Sequence, residues 1–364
     1  MVIEFMNKSI HALLCKGFDV YPVIFDAKHK HCSAEKIKIM DSIKDVMIIE
    51  NNFNIFPNKN FGVAAISKYA EICGAEFLAI VDPDWSVSNY DIFLRNLIDS
   101  IDEDRMEIVI PDIGNEAGRD NLLVGKIAVS LFYPEYANII KTVFPGMVIG
   151  LTNKISEICL SEEYHFDWGG EWDIFSDAVK KGVRIGSTPV VVKNIRHRKS
   201  TSKMLDAYQM WRAVFCDEDF IKRCANMNLF KNQPEIKDPF SSTLVINSFS
   251  VREQIDFISR NAQSETQRQL LYMVLYPLAF IFGEMQFMPD VNQINEIPYE
   301  KNEIGYMSDL ATHCFKSAII NSSLSAEEIH ERANTMTNND WSAWSKASQR
   351  IALAEIGRQW EYMV

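Results

Sequence analysis

The sequence predicts an α/β fold followed by an α-helical C-terminal region. Short apolar segments alternate with segments of helical spacing between residues 20 and 200, and this alternation is typical of a sheet with parallel strands. From about Thr201 onward, helical spacing dominates. We therefore divide the chain into an N-terminal accessory helix (residues 1–19), an α/β domain (20–200) and a helical C-terminal domain (201–364).

Length and charge limit the kinds of partner. The chain has 364 residues, enough for one large or two ordinary domains with a real hydrophobic core. Its 49 acidic and 37 basic residues give a net charge of −12, and no block is dense in Lys or Arg. Because nucleic acids and anionic lipids attract basic surfaces, we expect neither as a partner.

The cysteines and the apolar segments fit a cytoplasmic protein. The seven cysteines are scattered and never form a Cys-x-x-Cys pair, so neither a disulfide framework nor a structural zinc site is predicted. The N-terminus has no signal-peptide pattern, and the longest apolar run, Leu270 to Phe282, contains Pro277. That run is too short to span a bilayer, and we expect it to be a buried helix.

The first elements alternate between helix and strand. Apolar residues between Phe5 and Leu14 have helical spacing, and Gly17 can end that helix. In parallel sheets ligands bind beyond the carboxyl ends of the strands, so the loops after the strands are candidate binding loops. The elements that follow are a strand at Tyr21–Phe25, a helix at about Ala34–Ser42, a strand at Val46–Ile49 and a helix at about Gly62–Cys73.

The next strand, Phe77–Val81, runs into two carboxylates one residue apart, Asp82 and Asp84. Side chains i and i+2 of an extended chain point the same way, and hard divalent cations prefer paired carboxylate oxygens. A cation held there would neutralise a diphosphate. The alternative is a turn, because Asp-Pro-Asp is also good turn chemistry.

A Gly-rich polar loop opens a later helix. The loop runs from Ile113 to Asn121, after a helix at about Tyr90–Ile101 and a strand at Glu107–Ile110. Arg119, near the helix start, would bind an anionic acceptor through two hydrogen bonds or would pair with a neighbouring acid. The helix ends at Tyr133, before a proline.

After a predicted strand or loop at Val143–Leu151, the sequence predicts a helix with an acidic residue in its first turn. Apolar residues at 172, 175, 178 and 179 have helical spacing, which places Glu171 in the first turn. Gly169 and Gly170 leave the backbone accessible there. A carboxylate in a first turn is also ordinary complementation of the helix dipole. Beyond this helix, the sequence predicts a helix end at Gly182 and strands at Val183–Ile185 and Pro189–Val192.

Cationic side chains fall at the predicted binding edge. Lys28 and Lys59 lie in loops after strands, where an ammonium group would complement a phosphate, although a solvated surface lysine has the same sequence signature. His197, between Arg196 and Arg198, is either a metal ligand or part of a surface turn.

The C-terminal domain is predicted from helical spacing. Trp341 and Trp344 fit core or subunit packing, so this region would suit a homo-oligomer. The predicted helices are Met204–Cys216, Val251–Ile258, Thr266–Phe282, Met307–Ile320, Ala326–Met336 and Trp341–Met363.

The order of these segments resembles retaining glycosyltransferases with the A-type nucleotide-sugar fold, specifically mannosylglycerate synthases and, more distantly, glucosyl-3-phosphoglycerate synthases. The resemblance rests on the order and spacing of short motifs over nearly the whole chain after residue 20. It implies that residues 20–200 form a Rossmann-like mixed sheet that binds a nucleotide sugar. The matching segments are Ala27–His31, Pro57–Lys59, Asp82–Asp84, Leu131–Pro134, Asp167–Glu171, His197 and Asp340–Trp341.

The resemblance also implies roles for the candidate residues. A divalent metal, Mn²⁺ or Mg²⁺, would bind the diphosphate of the donor. Asp82 would contact the ribose or the donor sugar, and Glu171 would lie beside the donor sugar and the acceptor hydroxyl. The implied donor residues are Lys28, Lys59, Asp82 and Trp168, the acceptor residues Arg119, Asn121 and Glu171, and the metal ligands Asp84 and His197.

The predicted function is transfer of a mannose or glucose from a GDP- or UDP-sugar to a small hydroxy-acid-like acceptor. Two departures bear on the acceptor. Pro145–Gly150 lacks an acid that the family carries after its Pro-Leu. The acceptor arginine of mannosylglycerate synthases has no clear counterpart, although Gly118–Asn121 resembles the acceptor segment of the glucosyl-3-phosphoglycerate synthases. The alternatives are the same chemistry on a glycan or a modified nucleic-acid base, a nucleotidyltransferase, and a non-catalytic nucleotide-sugar-binding module.

Overall fold

The chain folds into two compact units. The first comprises residues 1–113, 144–196 and 343–364, and the second comprises residues 114–143 and 197–342. The division at residues 20 and 201 that we expected from the sequence stays a prediction. The computed structural model describes residues 2–15, 17–26, 43, 46–50, 59–81, 85–87, 98–101, 104–113, 121–140, 143, 147–190, 192–195, 200–225, 251–261, 268, 271–289, 312, 315, 318–319, 322–336 and 346–361.

The strands of the described residues all belong to the first unit. They are β1 (Val23–Asp26), β2 (Met47–Glu50), β3 (Phe77–Val81), β4 (Trp85–Val87), β5 (Ile108–Asp112), β6 (Met147–Leu151), β7 (Ile185–Pro189) and β8 (Val192–Ile195).

The main sheet is mixed, as the resemblance implied. Its order is β3-β6-β5-β7, with β6 antiparallel to both neighbours and β7 parallel to β5. The alternation of strands and helices alone predicted parallel strands, and the sheet departs from that expectation because β6 enters between β3 and β5 in the opposite direction. Two smaller pairs accompany it, a parallel β1–β2 pair and an antiparallel β4–β8 pair.

Strands β3, β5 and β7 point in one direction, so their carboxyl ends lie at one edge of the sheet. Val81 ends β3 and Asp112 ends β5 at this edge. The chain therefore enters the predicted binding loops that start at residues 82 and 113 from the same edge, the position at which sheets of this kind bind ligands.

The helices that were predicted and are described lie close to their predicted bounds, and two further helices, at residues 152–159 and 218–225, were not predicted. In chain order they are α1 (Val2–Cys15), α2 (Lys59–Ile72), α3 (Lys126–Phe132), α4 (Thr152–Cys159), α5 (Gly169–Lys180), α6 (Ser200–Cys216), α7 (Glu218–Ala225), α8 (Val251–Asn261), α9 (Tyr276–Ile281), α10 (Ala326–Thr335) and α11 (Lys346–Glu361).

In the first unit, α2 and α4 pack together beside the main sheet, α5 packs on α4, and α11 packs on α2. The buried ring of Phe61 meets the rings of Phe25 and Phe166 at centroid distances of 5.9 and 5.7 Å. Tyr69 meets Trp360 at 5.2 Å, which joins α2 to α11. These contacts hold α2 in place, and α2 begins with the candidate site residue Lys59.

The described part of the second unit is helical and has an aromatic core. Two five-residue π-helical turns, Asn121–Gly125 and Leu271–Leu275, pack beside α6. The indole N–H of Trp211 donates to the carbonyl oxygen of Met273 at 2.8 Å, which satisfies a backbone group inside one π turn. The packed rings are Phe132, Trp211, Phe215, Phe220, Phe282 and Phe315.

Two predicted helix ends are confirmed, and two predicted strands lie a few residues from their expected positions. Gly17 and Gly182 end α1 and α5 with φ angles of 86° and 67°, in the left-handed region that favours glycine. The strands expected at residues 183–185 and 189–192 lie instead at 185–189 and 192–195. The helix predicted at residues 34–42 lies outside the described residues. No described helix is both long and apolar enough to cross a membrane.

Candidate functional site

The candidate site joins the start of α2 to the first turn of α5. The Lys59 ammonium donates a hydrogen bond to Glu171 Oε1 at 2.8 Å. The Glu171 side chain is completely buried, and that of Lys59 is 13% exposed. The Lys59 nitrogen also lies over the Trp168 ring, 5.0 Å from its centroid, within the range of a cation–π contact. Three predicted site residues are therefore in mutual contact.

Asn60 explains why these two segments meet. Its side chain is fully buried, and its amide N–H donates to the carbonyl oxygen of Asp167 at 2.5 Å. Its amide oxygen accepts a hydrogen bond from the Tyr164 hydroxyl at 3.3 Å. Because a buried amide needs both kinds of partner, Asn60 fixes the backbone that precedes Glu171. Because Lys59 precedes Asn60 in the chain, its ammonium group is held within hydrogen-bonding distance of the Glu171 carboxylate.

The turn before α5 is held by its own polar groups. The Asp167 carboxylate accepts a hydrogen bond from the Gly169 backbone N–H at 2.8 Å, a local contact of the kind that starts helices. The Asp173 carboxylate accepts the backbone N–H of His165 at 2.6 Å and lies 2.9 Å from its ring Nδ1. Both contacts fix the turn that carries Trp168.

Gly170 lies where no side chain fits. A Cβ at this position would lie 2.3 Å from the carbonyl oxygen of His165, 2.9 Å from Asn60 Cγ and 2.9 Å from Tyr164 Cζ. The sequence predicted close backbone approach at Gly169–Gly170, and the structure shows that the approaching groups belong to the protein itself.

The Lys59–Glu171 pair brings two opposite charges together at the starts of two helices. Lys59 is the first residue of α2, whose first turn contains no acid, and Glu171 is the acid in the first turn of α5. Glu171 therefore lies at the positive end of its own helix and faces an ammonium group. Nearby groups stay neutral at ordinary pH: burial raises the pKa of the Cys159 thiol to about 12 and holds the pKa of Tyr164 well above its usual value.

Of the remaining predicted site residues, the structure describes only Asn121. Asn121 is buried and begins a π turn of the second unit. Within the described residues, no group of three His, Cys, Asp or Glu side chains is arranged to hold a metal. Lys28, Asp82, Asp84, Arg119 and His197 lie outside the described residues, and their roles stay predictions.

Three contributors to the site were missed from the sequence. Asn60 was not singled out in the sequence, and its partners lie more than 100 residues away. The His165–Asp173 contact has a sequence separation that no simple motif signals. Arg350, near the end of the chain, donates to the carbonyl oxygen of Ser161 and lies over the Phe166 ring. Only the folded chain brings these residues together.

Comparison with known proteins gives matches to solved structures alone. No protein-family model matches the chain, and no curated protein sequence matches it. Glucosyl-3-phosphoglycerate synthase from Mycobacterium tuberculosis, in complex with phosphoglyceric acid, has a TM-score of 0.46 at 14% identity over 62% of this chain and 75% of that chain. Its complex with Mn²⁺, UDP and glucosyl-3-phosphoglycerate has a TM-score of 0.47 at the same identity, again over 62% and 75% of the two chains. Likeness at this level does not assign the chain to that enzyme family.

Proposed function

We propose that this protein is a nucleotide-sugar-dependent glycosyltransferase that moves a hexose to a small hydroxy-acid-like acceptor with retention of anomeric configuration. The observation that carries the proposal is the contact of Lys59 with Glu171 and Trp168. The two charged residues are 112 positions apart in the sequence, and the family resemblance assigns both to one reaction centre. The mixed sheet and the common edge at Val81 and Asp112 agree with a ligand site there.

The proposed reaction exchanges one bond of the donor sugar. The bond between the anomeric carbon and the diphosphate oxygen breaks, the acceptor hydroxyl oxygen bonds to that carbon, and the hydroxyl proton is released. The Lys59 ammonium would stabilise charge on the departing diphosphate, and the Trp168 ring offers an apolar face to a base or a sugar. The Glu171 carboxylate would orient the incoming hydroxyl.

A divalent metal is part of the proposal. Asp84 and His197 are the proposed ligands of Mn²⁺ or Mg²⁺, and β3 ends at Val81, immediately before Asp82–Asp84. Carboxylate oxygens are suitable donors for both ions, and a neutral imidazole is a common metal ligand. When bound, the ion would supply positive charge to the diphosphate.

The test is a panel of GDP- and UDP-sugars incubated with the protein and Mn²⁺, with and without EDTA. We expect one donor to release its nucleoside diphosphate slowly, only with metal, and faster when a small hydroxy acid such as glycerate or 3-phosphoglycerate is added. Release from no donor, together with no donor-induced shift in melting temperature, would overturn the proposal. Pyrophosphate release from a nucleoside triphosphate would instead indicate a nucleotidyltransferase.

A further inference from the structure

Glu171 is out of reach of any substrate in the state that the structure describes. Its side chain has no exposed surface, and one carboxylate oxygen is hydrogen-bonded to Lys59. A carboxylate that orients an acceptor hydroxyl must come within hydrogen-bonding distance of it. The side chains around Glu171 must therefore rearrange before the carboxylate can take part in transfer.

Lys59 is the member of the pair that a ligand can reach. Its side chain is 13% exposed, and its ammonium group lies over the Trp168 ring. An ammonium group carries three donors on a flexible stem, so it can change partners without a change in the backbone. Its place at the start of α2, whose first turn contains no acid, adds the positive end of a helix to the attraction for an anion.

We infer that Glu171 and the donor diphosphate compete for Lys59, so that donor binding releases Glu171 for the acceptor. The inference rests on the proposed function and adds an order of binding to it: donor first, acceptor second. In the free protein the Lys59–Glu171 pair keeps the carboxylate away from water. When a diphosphate takes the ammonium group, the ion pair with Lys59 breaks and the side chains around Glu171 rearrange to expose the carboxylate.

The positive end of α5 makes the exchange physically reasonable. A buried carboxylate that loses its ion-pair partner is strongly destabilised unless other groups stabilise the charge. Glu171 lies in the first turn of α5, where backbone N–H groups and the helix dipole favour a negative charge. Exposure to water after the exchange would stabilise the carboxylate further.

If Glu171 and the donor diphosphate compete for Lys59, removing the charge of Glu171 should strengthen nucleotide binding. We would titrate UDP and GDP, with Mn²⁺ present, into the full chain and into its Glu171→Gln variant by isothermal titration calorimetry. Glutamine keeps the size of the side chain and removes its charge. We expect the variant to bind the preferred nucleotide roughly tenfold more tightly than the wild type. The matched control is Glu157→Gln, which removes the exposed partner of Lys181 at 2.9 Å and should leave the affinity unchanged.

The outcomes separate this inference from the proposed function. If wild type binds a nucleotide and Glu171→Gln binds it equally well or more weakly, the exchange is wrong and the proposed function stands. If neither protein binds UDP or GDP, both are wrong.

A second measurement needs no variant. Carbodiimide labelling of the wild-type protein, read by mass spectrometry, should modify Glu171 only when the nucleotide is present. Equal protection of Glu171 with and without bound nucleotide would contradict the exchange.

Discussion

At the scale of single residues, the candidate site depends on very close packing. Gly170 has the backbone of His165 and the side chains of Asn60 and Tyr164 around the position of a missing Cβ. Lys59, Asn60 and Glu171 each contact a partner more than 100 residues away in the sequence. A change of one methyl group in this turn should therefore displace both charges of the site.

The substitution of glycine by alanine should have opposite effects at two positions. Gly170→Ala should destabilise the protein by at least about 2 kcal/mol, because a new Cβ 2.3 Å from a backbone oxygen cannot be accommodated by a side-chain movement. Gly357→Ala should stabilise it by about 0.5–1 kcal/mol, because this position lies inside α11. The Gly357 Cβ would make ordinary contact, at 3.4 Å, with the flexible Lys68 side chain. Urea unfolding measures the change in the free energy of unfolding for both variants. If the two changes have the same sign, this account is wrong.

At the scale of elements, α11 supports both sides of the site. It packs on α2 through Trp360 and Tyr69, and α2 begins with Lys59. Arg350 of the same helix donates to the Ser161 carbonyl and lies 3.2 Å from a carboxylate oxygen of Glu162. One helix near the end of the chain thus contacts the two segments that carry Lys59 and Glu171.

Arg350→Met should weaken this support. The substitution keeps an apolar stem and removes the hydrogen bond to Ser161, so we expect a loss of about 1–3 kcal/mol in the free energy of unfolding. The proposed transfer reaction should slow as well, while the Kd for the proposed nucleotide changes little. The control is Arg358→Met on the same helix, since Arg358 is 65% exposed and pairs only locally with Glu355. That variant should stay within about 0.5 kcal/mol of the wild type.

Local signals explain which elements could be predicted. The apolar run at β3, the helical spacing of α5 and the glycines that end α1 and α5 all act within a few residues, and these predictions are confirmed. Strand β7 contains Gly186 and Pro189, which have low strand propensity, and its ladder with β5 overrides that preference. Helix α4 was missed because its sequence follows a strand without a recognisable cap. The Lys59–Glu171 pair requires tertiary structure and could not be predicted.

At the scale of the whole molecule, one acidic side chain at the start of a strand makes stability depend on pH. Glu107, just before β5, accepts a hydrogen bond from the backbone N–H of Arg184 at 3.0 Å and lies 3.7 Å from the Lys154 ammonium. The Arg184 backbone bond is the largest cause that holds the pKa of Glu107 below its ordinary value of 4.5, and the neighbouring cations add to it against the effect of burial. The folded state therefore favours the ionised carboxylate.

The sign of the pH dependence follows from this lowered pKa. A carboxyl group whose pKa is lower in the folded state stabilises the protein fully above its unfolded-state pKa and loses this effect as the pH falls through the folded-state value. Glu107→Gln should cost about 1 kcal/mol at pH 7, and the difference from wild type should shrink below about pH 4.5. Urea unfolding between pH 7 and pH 3 tests this. A difference that stays constant down to pH 3 would exclude ionisation as its cause.

The interleaving of the two units has a consequence for biosynthesis. The first unit takes its last piece, residues 343–364, from a part of the chain that follows the whole of the second unit. During translation, α2 leaves the ribosome before α11. Tyr69 therefore cannot contact Trp360, and the Ser161 carbonyl cannot accept its hydrogen bond from Arg350, until α11 has been synthesised. Assembly of the first unit is therefore completed only after the second unit has been synthesised, and a nascent chain that stops before α11 carries Tyr69 of α2 without its Trp360 contact.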